Sequence, residues 1–251
     1  MIRPLLLLVA ALSGGAFASD QSQLDSHVKC PPFFGGAYRV LFIGDSITRH
    51  GVNQRTKDHL GWDHVSGMAA SAPGKDYPSL LAEKISRSVN KPVVSCYHTY
   101  GGAGTVAGRL FSLGQVSATR PDLVVIQLGE HEKEEDGPKK LSRLYLELLR
   151  AVKAMPGHPA VIAVGPWAVI DRTPTGEYAG WAGTVDLSMM RMARLEGVPY
   201  ATVRDLAAIP EARGWGTSLG VKWHPNDLGH ALYAERIYTL FEAISPIKPT
   251  K

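Results

Sequence analysis

Long apolar runs, cysteine and one-sided charge are all scarce in this 251-residue chain. Past residue 18, no segment approaches the roughly 20 consecutive apolar residues that span a bilayer, which excludes stable membrane insertion of the mature chain. Lys and Arg number 27 against 23 Asp and Glu. No basic stripe interleaved with aromatics stands out, which excludes nucleic acid as a partner. Internal repeats, low-complexity tracts and a linker are also missing, so the chain reads as one domain. His59, Asp63 and His64 lie close together, but a four-ligand set at metal-binding spacing is lacking. Neither a metal nor another cofactor is implied.

What is present begins with an export pattern. Arg3 precedes the apolar run LLLLVAAL, and Ala16-Phe17-Ala18 is a small-residue cleavage site. Residues 1–18 therefore read as a signal peptide cleaved before Ser19, and the mature protein as secreted or periplasmic. A polar arm follows over 19–37. In an oxidising compartment Cys30 and Cys96 can pair, tethering that arm to the second expected strand; the alternative is two separate buried thiols. About 230 residues remain after cleavage, enough for one domain with a large core, placed over 38–251.

Five short runs, Val40–Gly44, Pro92–Tyr97, Leu123–Leu128, Ala160–Val164 and Val198–Val203, are nearly continuous in Val, Ile, Leu and Ala. That is the pattern of parallel strands buried on both faces. Helical patterns separate them: Asp76–Val89, a stripe from Leu141 to Val152 behind Pro138, a shorter one over Leu187–Leu195, and a last helix over Asp227–Ile244. The alternation predicts an α/β fold, a three-layer α/β/α sandwich around a five-stranded parallel sheet.

Ligands bind such sheets outside the carboxyl ends of the strands. Those ends read Gly-Asp-Ser (44–46), Tyr-Gly-Gly-Ala-Gly (100–104), Gly-Glu-His-Glu (129–132) and Gly-Pro-Trp (165–167). A serine on a strand-to-helix turn becomes a nucleophile once a base takes its proton and donors stabilise the oxyanion. Ser46 is that candidate. His224 is the candidate base, on a loop before the last helix, followed by Pro225 and Asn226, with Asp227 positioned to cap. The bland alternatives are an ordinary capped strand end and a structural histidine. Asp45 reads as a turn stabiliser and His230 as a packed residue. Trp62, Trp167, Trp181 and Trp223 fall in expected loops, either lining a cleft that could stack on a sugar face or packing at its rim.

Taken together, Gly44-Asp45-Ser46-Ile47-Thr48 and His224-Pro225-Asn226-Asp227-Leu228-Gly229-His230 resemble the first and last blocks of the SGNH, or GDSL, hydrolases. The Gly101–Gly104 loop and Gly129 resemble the two middle blocks. Gly61-Trp62, Met68-Ala69-Ala70-Ser71 and Lys75-Asp76-Tyr77 resemble, more narrowly, a group of exported bacterial members. The resemblance implies a flavodoxin-like sheet, Ser46 as nucleophile and His224 as base. It implies an oxyanion hole made by the N–H of Ser46, the N–H of Gly102 (or of Gly104, one alignment step away) and the side chain at position 131.

Two positions depart from the family pattern. Position 131 is His131 rather than Asn; an imidazole also offers an N–H, and the alternative is a histidine that caps the charged run EHEKEED. Three residues before His224 the family has Asp, and here stands Val221, with no acid between Glu211 and His224. Either a backbone carbonyl orients the ring, giving a Ser46–His224 dyad, or a distant acid such as Glu132 substitutes; the carbonyl is the simpler expectation. The sequence reading is a secreted serine esterase that removes short acyl groups, acetyl above all, from a carbohydrate or small molecule through an acyl-enzyme. A lipid or lysophospholipid esterase, acyl transfer to a sugar hydroxyl, and a catalytically weak carbohydrate-binding relative are the alternatives.

Overall fold

The computed structural model of the chain describes residues 28–31, 35–99, 104–170, 173 and 175–245. The expected signal peptide and most of the 19–37 arm lie outside the described residues. Six strands form one sheet: β1 (Val28–Lys29), β2 (Tyr38–Ile43), β3 (Val93–His98), β4 (Leu123–Gln127), β5 (Ala160–Val164) and β6 (Tyr200–Ala201), in the order β1-β3-β2-β4-β5-β6. The five strands β2 to β6 are parallel. Val28 and Lys29 add a short antiparallel edge against His98 and Tyr97, so part of the polar arm belongs to the sheet. The strand expected over 198–203 shrinks to Tyr200–Ala201: Pro199 has no N–H for a ladder, and Val203 already caps the next helix.

Eight α-helices are described: α1 (Gln54–Leu60), α2 (Tyr77–Val89), α3 (Val106–Ser112), α4 (Gly137–Lys153), α5 (Gly180–Leu195), α6 (Arg204–Ala208), α7 (Leu219–Trp223) and α8 (Asp227–Ile244). Alternate strand residues serve opposite layers, as the period of two requires. Leu41, Ile43, Val124, Ile126 and Ala163 pack beneath Tyr145, Leu148 and Val152 of α4 and Val185 and Met189 of α5. Val40, Phe42, Leu123, Val125 and Ile162 pack beneath Leu81 and Ile85 of α2 and Tyr233, Ile237 and Phe241 of α8. The helix expected from Leu187 begins instead at Gly180, because Gly180, Ala182 and Gly183 leave too few large apolar residues in its first two turns to show the period. Helices α1 and α3, seven residues each, were too short to show a period in the sequence.

Helix ends fix the loops around the sheet's carboxyl edge. Asp76 caps α2 through Oδ1 to the Ser79 N–H at 3.0 Å, while its Oδ2 accepts from Ser66 Oγ at 2.8 Å and Gly67 N at 2.9 Å. The cap of α8 is Asn226, whose side chain accepts from Gly229 N at 3.1 Å, not Asp227 as the sequence suggested. Asp227 sits one residue inside and accepts from Ser71 N, Ser71 Oγ and Lys75 Nζ at 2.7, 2.6 and 3.0 Å. Cys30 and Cys96 form a disulfide, which ties the edge strand to β3. After β2 the chain adds β3 on one side and β4 on the other, so the sheet's topological switch point lies at the carboxyl end of β2, where Gly44, Asp45 and Ser46 stand.

Candidate active site

The turn after β2 is built around Gly44. A Cβ there would sit 1.9 Å from Thr48 Oγ1, so only glycine lets the chain fold back tightly enough to lift Ser46 out of the sheet. Thr48 Oγ1 is held by Tyr77 Oη at 2.7 Å and bonds Gln127 Oε1 at 2.8 Å, anchoring the turn to α2 and β4. Asp45 is 1 % exposed, and its Oδ1 accepts from Ile47 N at 2.8 Å, the turn-stabilising part expected of it. Beneath the turn lies the fully buried Arg109 of α3, donating from Nε to Gly44 O at 2.8 Å and from Nη2 to Thr99 O at 3.0 Å.

His224 reaches Ser46 from 178 residues away: Nε2 stands 2.7 Å from Ser46 Oγ. Its other ring nitrogen, Nδ1, lies 2.5 Å from the carbonyl oxygen of Gly220 in α7. That carbonyl can only accept, so Nδ1 carries the proton and Nε2 presents its lone pair to the serine hydroxyl. The ring is 7 % exposed. Burial pushes its pKa down to about 3, the Gly220 carbonyl opposing the shift and nearby His50 adding to it. Val221 is fully buried against Met68 and Ala69. Glu132, the distant acid considered as a substitute, instead accepts from the Val106 N–H at 2.7 Å at the start of α3.

The candidate oxyanion donors divide. No described residue accepts the Ser46 N–H. Gly102 lies outside the described residues. Gly104 packs on the turn after β2 so closely that a Cβ would meet Asp45 Cβ at 2.5 Å. His131, its side chain 35 % exposed, has Nε2 3.8 Å from Asp45 Oδ2 and shares a cavity wall with His224. Glu130, the first acid of the charged run EHEKEED, turns inward. Its Oε1 accepts from Gln127 Nε2 at 2.9 Å and from Trp167 N at 2.6 Å.

A cavity of about 490 Å³ opens beside His224 and His131, walled by Pro166, Ile170, Trp181, Val185, Leu219 and Trp223. Trp181 and Trp223 line it, but Trp62 and Trp167 are fully buried in the interior. Trp167 donates Nε1–H to Trp223 O at 2.9 Å, so it supports the wall from behind. His230 is also buried, receiving the Tyr77 N–H on Nδ1 at 3.2 Å and facing Met68 O through Nε2 at 3.1 Å. Sequence reasoning missed Arg109, Gln127 and His50. A lone arginine inside the small apolar helix VAGRLFS was the one visible signal; the other two are ordinary until strand ends meet. The Gly220 carbonyl has no side-chain signature at all.

A family model described as "GDSL-like Lipase/Acylhydrolase family" matches residues 42–232. A search of curated proteins gives no match. Among solved structures, a catalytic mutant of Axe2, an acetylxylan esterase from Geobacillus stearothermophilus, superposes with a TM-score of 0.59 at 15 % identity, over 82 % of this chain and 94 % of that one. LAE5, an alpha/beta hydrolase from the metagenome of Lake Arreo in Spain, gives 0.60 at 19 % identity over 84 % and 98 %. A two-domain esterase active on acetylated mannans, co-crystallised with mannopentaose, gives 0.60 at 19 % over 93 % of this chain and 54 % of its own. At these identities the likeness carries the fold.

Proposed function

Because the chain belongs to the GDSL-like lipase/acylhydrolase family, a family of carboxylic-ester hydrolases, we propose that it is an exported serine esterase removing acetyl groups from carbohydrate. The observation that carries the mechanism is the 2.7 Å contact between Ser46 Oγ and His224 Nε2, with the ring's tautomer fixed by Gly220 O at 2.5 Å. Ser46 attacks the ester carbonyl as its proton passes to Nε2. The Ser46 N–H, a glycine N–H of the 101–104 loop and His131 receive the oxyanion. His224 then gives the proton to the leaving alcohol, and water repeats the sequence on the acyl-enzyme. No residue in this scheme needs a cofactor.

A carbonyl in place of the usual carboxylate has a price in rate. It orients the imidazole, but a neutral dipole stabilises the transient imidazolium less than a full negative charge does. A neutral ring with a depressed pKa is also a weak base, so modest turnover is expected. The carbohydrate substrate rests on the named activities of the structural neighbours and on the pair Trp181 and Trp223 beside the base. One observation favours a second reading: the apolar cavity is far roomier than an acetyl group requires, which suits a longer acyl chain.

The test is hydrolysis of nitrophenyl acetate, butyrate and octanoate, followed by acetylated xylan and mannan. Ser46→Ala is expected to lose at least about 10³-fold in kcat with its Tm unchanged. Preference for acetate supports the deacetylase reading, and preference for octanoate replaces it with the lipid ester. Equal rates for the folded variant and the parent would reject the nucleophile and leave a carbohydrate-binding relative.

A further inference from the structure

We propose that Glu130 is a neutral carboxylic acid whose Oε2–H donates to Asp45 Oδ2, a positioning residue locked beneath the nucleophile turn. The starting point is a pair of orphans. Asp45 Oδ2 and Glu130 Oε2 are both buried and, among the described residues, neither has a hydrogen-bond partner when both carboxyls are counted as ionised. The two carboxyls lie within hydrogen-bonding reach of each other, and two buried, unpaired carboxylate oxygens so placed are costly. One proton between them converts both orphans into a single strong hydrogen bond.

The surrounding bonds say which oxygen holds the proton. Tyr77 Oη–H donates to Thr48 Oγ1, and Thr48 Oγ1–H donates to Gln127 Oε1. Gln127 Nε2–H then donates to Glu130 Oε1, which also receives the Trp167 N–H. With two donors on Oε1, that atom is the carbonyl oxygen and Oε2 is the hydroxyl. On the far side, Asp45 Oδ1 is occupied by the Ile47 N–H, leaving Oδ2 as the acceptor. Every donor and acceptor along the chain is then satisfied in one direction, from α2 through β4 to the turn that carries Ser46. Trp167 N brings the loop after β5 into the same knot.

The electrostatics agree. Burial and the negative charge of Asp45 raise the Glu130 pKa well above the usual carboxylate value. The other groups facing the pair do not replace the proton. Arg109 spends Nε and Nη2 on carbonyls, and its buried Nη1 makes no hydrogen bond, so its charge reaches Asp45 only through space. His131 Nε2 stands 3.8 Å from Asp45 Oδ2, too far for a hydrogen bond. His50, Tyr77 and Tyr233 act on the pair only through space. A neutral Glu130 has a consequence for the reaction proposed above, on which this part rests: it keeps a second negative charge away from the developing oxyanion beside His131. Ionising Glu130 would oppose that oxyanion and loosen the turn together, so kcat should fall on the alkaline side.

Infrared difference spectroscopy on the full chain at neutral pH reads the proton directly, with nitrophenyl acetate turnover measured alongside. The expected result is a carboxylic-acid C=O band present in the parent, retained in Glu132→Gln and lost in Glu130→Gln. Absence of that band in the parent overturns the proposal, leaving two ionised groups. Glu130→Ala strands Asp45 Oδ2 and should lower kcat about tenfold to a hundredfold. Glu130→Gln restores a donor to Asp45 and an acceptor to Trp167, should recover most of that loss, and should lack the alkaline decline. An alkaline decline identical in Glu130→Gln overturns the positioning role. If Glu130→Gln fails to fold, parent protein carrying ¹³C-carboxyl glutamate takes its place: an isotope shift of the band supports the proposal, and an unshifted band overturns it. A chain with the band but without esterase activity would keep the shared proton and reject only the esterase reading.

Discussion

Val221 shows how one side chain can hide a contact made by its neighbour's backbone. The position that holds an acid in the resembling family is here an apolar residue, fully buried against Met68 and Ala69, while the adjacent Gly220 carbonyl accepts the hydrogen bond from His224 Nδ1–H. Restoring the acid should therefore not restore a triad. Val221→Asp puts a carboxylate into an apolar pocket, with an expected loss of about 3 kcal/mol or more of stability and no gain in kcat. Chemical denaturation and nitrophenyl acetate kinetics on the same preparation check both halves. A variant that is stable and several-fold faster would mean that the backbone carbonyl is a poor substitute with room beside it for the acid.

At the scale of elements, the five-residue helix α7 carries the orienting carbonyl and delivers His224 at its end. Its position depends on Gly214, where a Cβ would approach Val221 O to 1.9 Å, and on the bond from Gly214 N to His224 O at 2.6 Å. Gly214→Ala must push α7 away from the sheet edge. A displacement on the ångström scale at the proposed base is expected to lower kcat about tenfold to a hundredfold with KM little changed. Steady-state kinetics on a variant of unchanged far-UV circular dichroism separates this from unfolding. Helix α5 plays the complementary part, presenting Trp181 to the cavity while Val185 and Met189 hold it to the core.

For the whole molecule, two predictions concern stability. His224 and His98 are buried with pKa values lowered to about 3 and about 4 from 6.5. Between those values and 6.5 the unfolded chain binds protons that the folded chain refuses, so stability falls as pH drops through 6.5 and keeps falling to about pH 3. Tm measured by calorimetry should decline steadily across that window, although His224 itself stays neutral and able to accept a proton. The Cys30–Cys96 bridge spans 66 residues, and closing that loop restricts the unfolded chain by about 4 kcal/mol on the chain-entropy model. Reduction should lower Tm by several degrees and release β1 first, a loss of protection that hydrogen exchange at Val28 and Lys29 would detect.

The sequence alone determined what depends on local pattern. Nearly continuous apolar runs meant strands buried on both faces, and the observed β2 to β5 lie within one or two residues of those runs. Gly44-Asp45-Ser46 after the first run and His224 before the last helix marked the two residues that now stand 2.7 Å apart. Tertiary structure decided what depends on parts distant in the chain. Glu130 and Glu132 stand in one charged run, yet one turns into a buried knot beside Asp45 and the other caps α3. Trp62 and Trp167 look like the cavity's Trp181 and Trp223 until packing buries them. The orienting group of His224 is a backbone oxygen, which every residue possesses and no sequence pattern distinguishes. Hydrophobic periodicity is written residue by residue, whereas the partner of a buried polar atom exists only once the strand ends have been brought together.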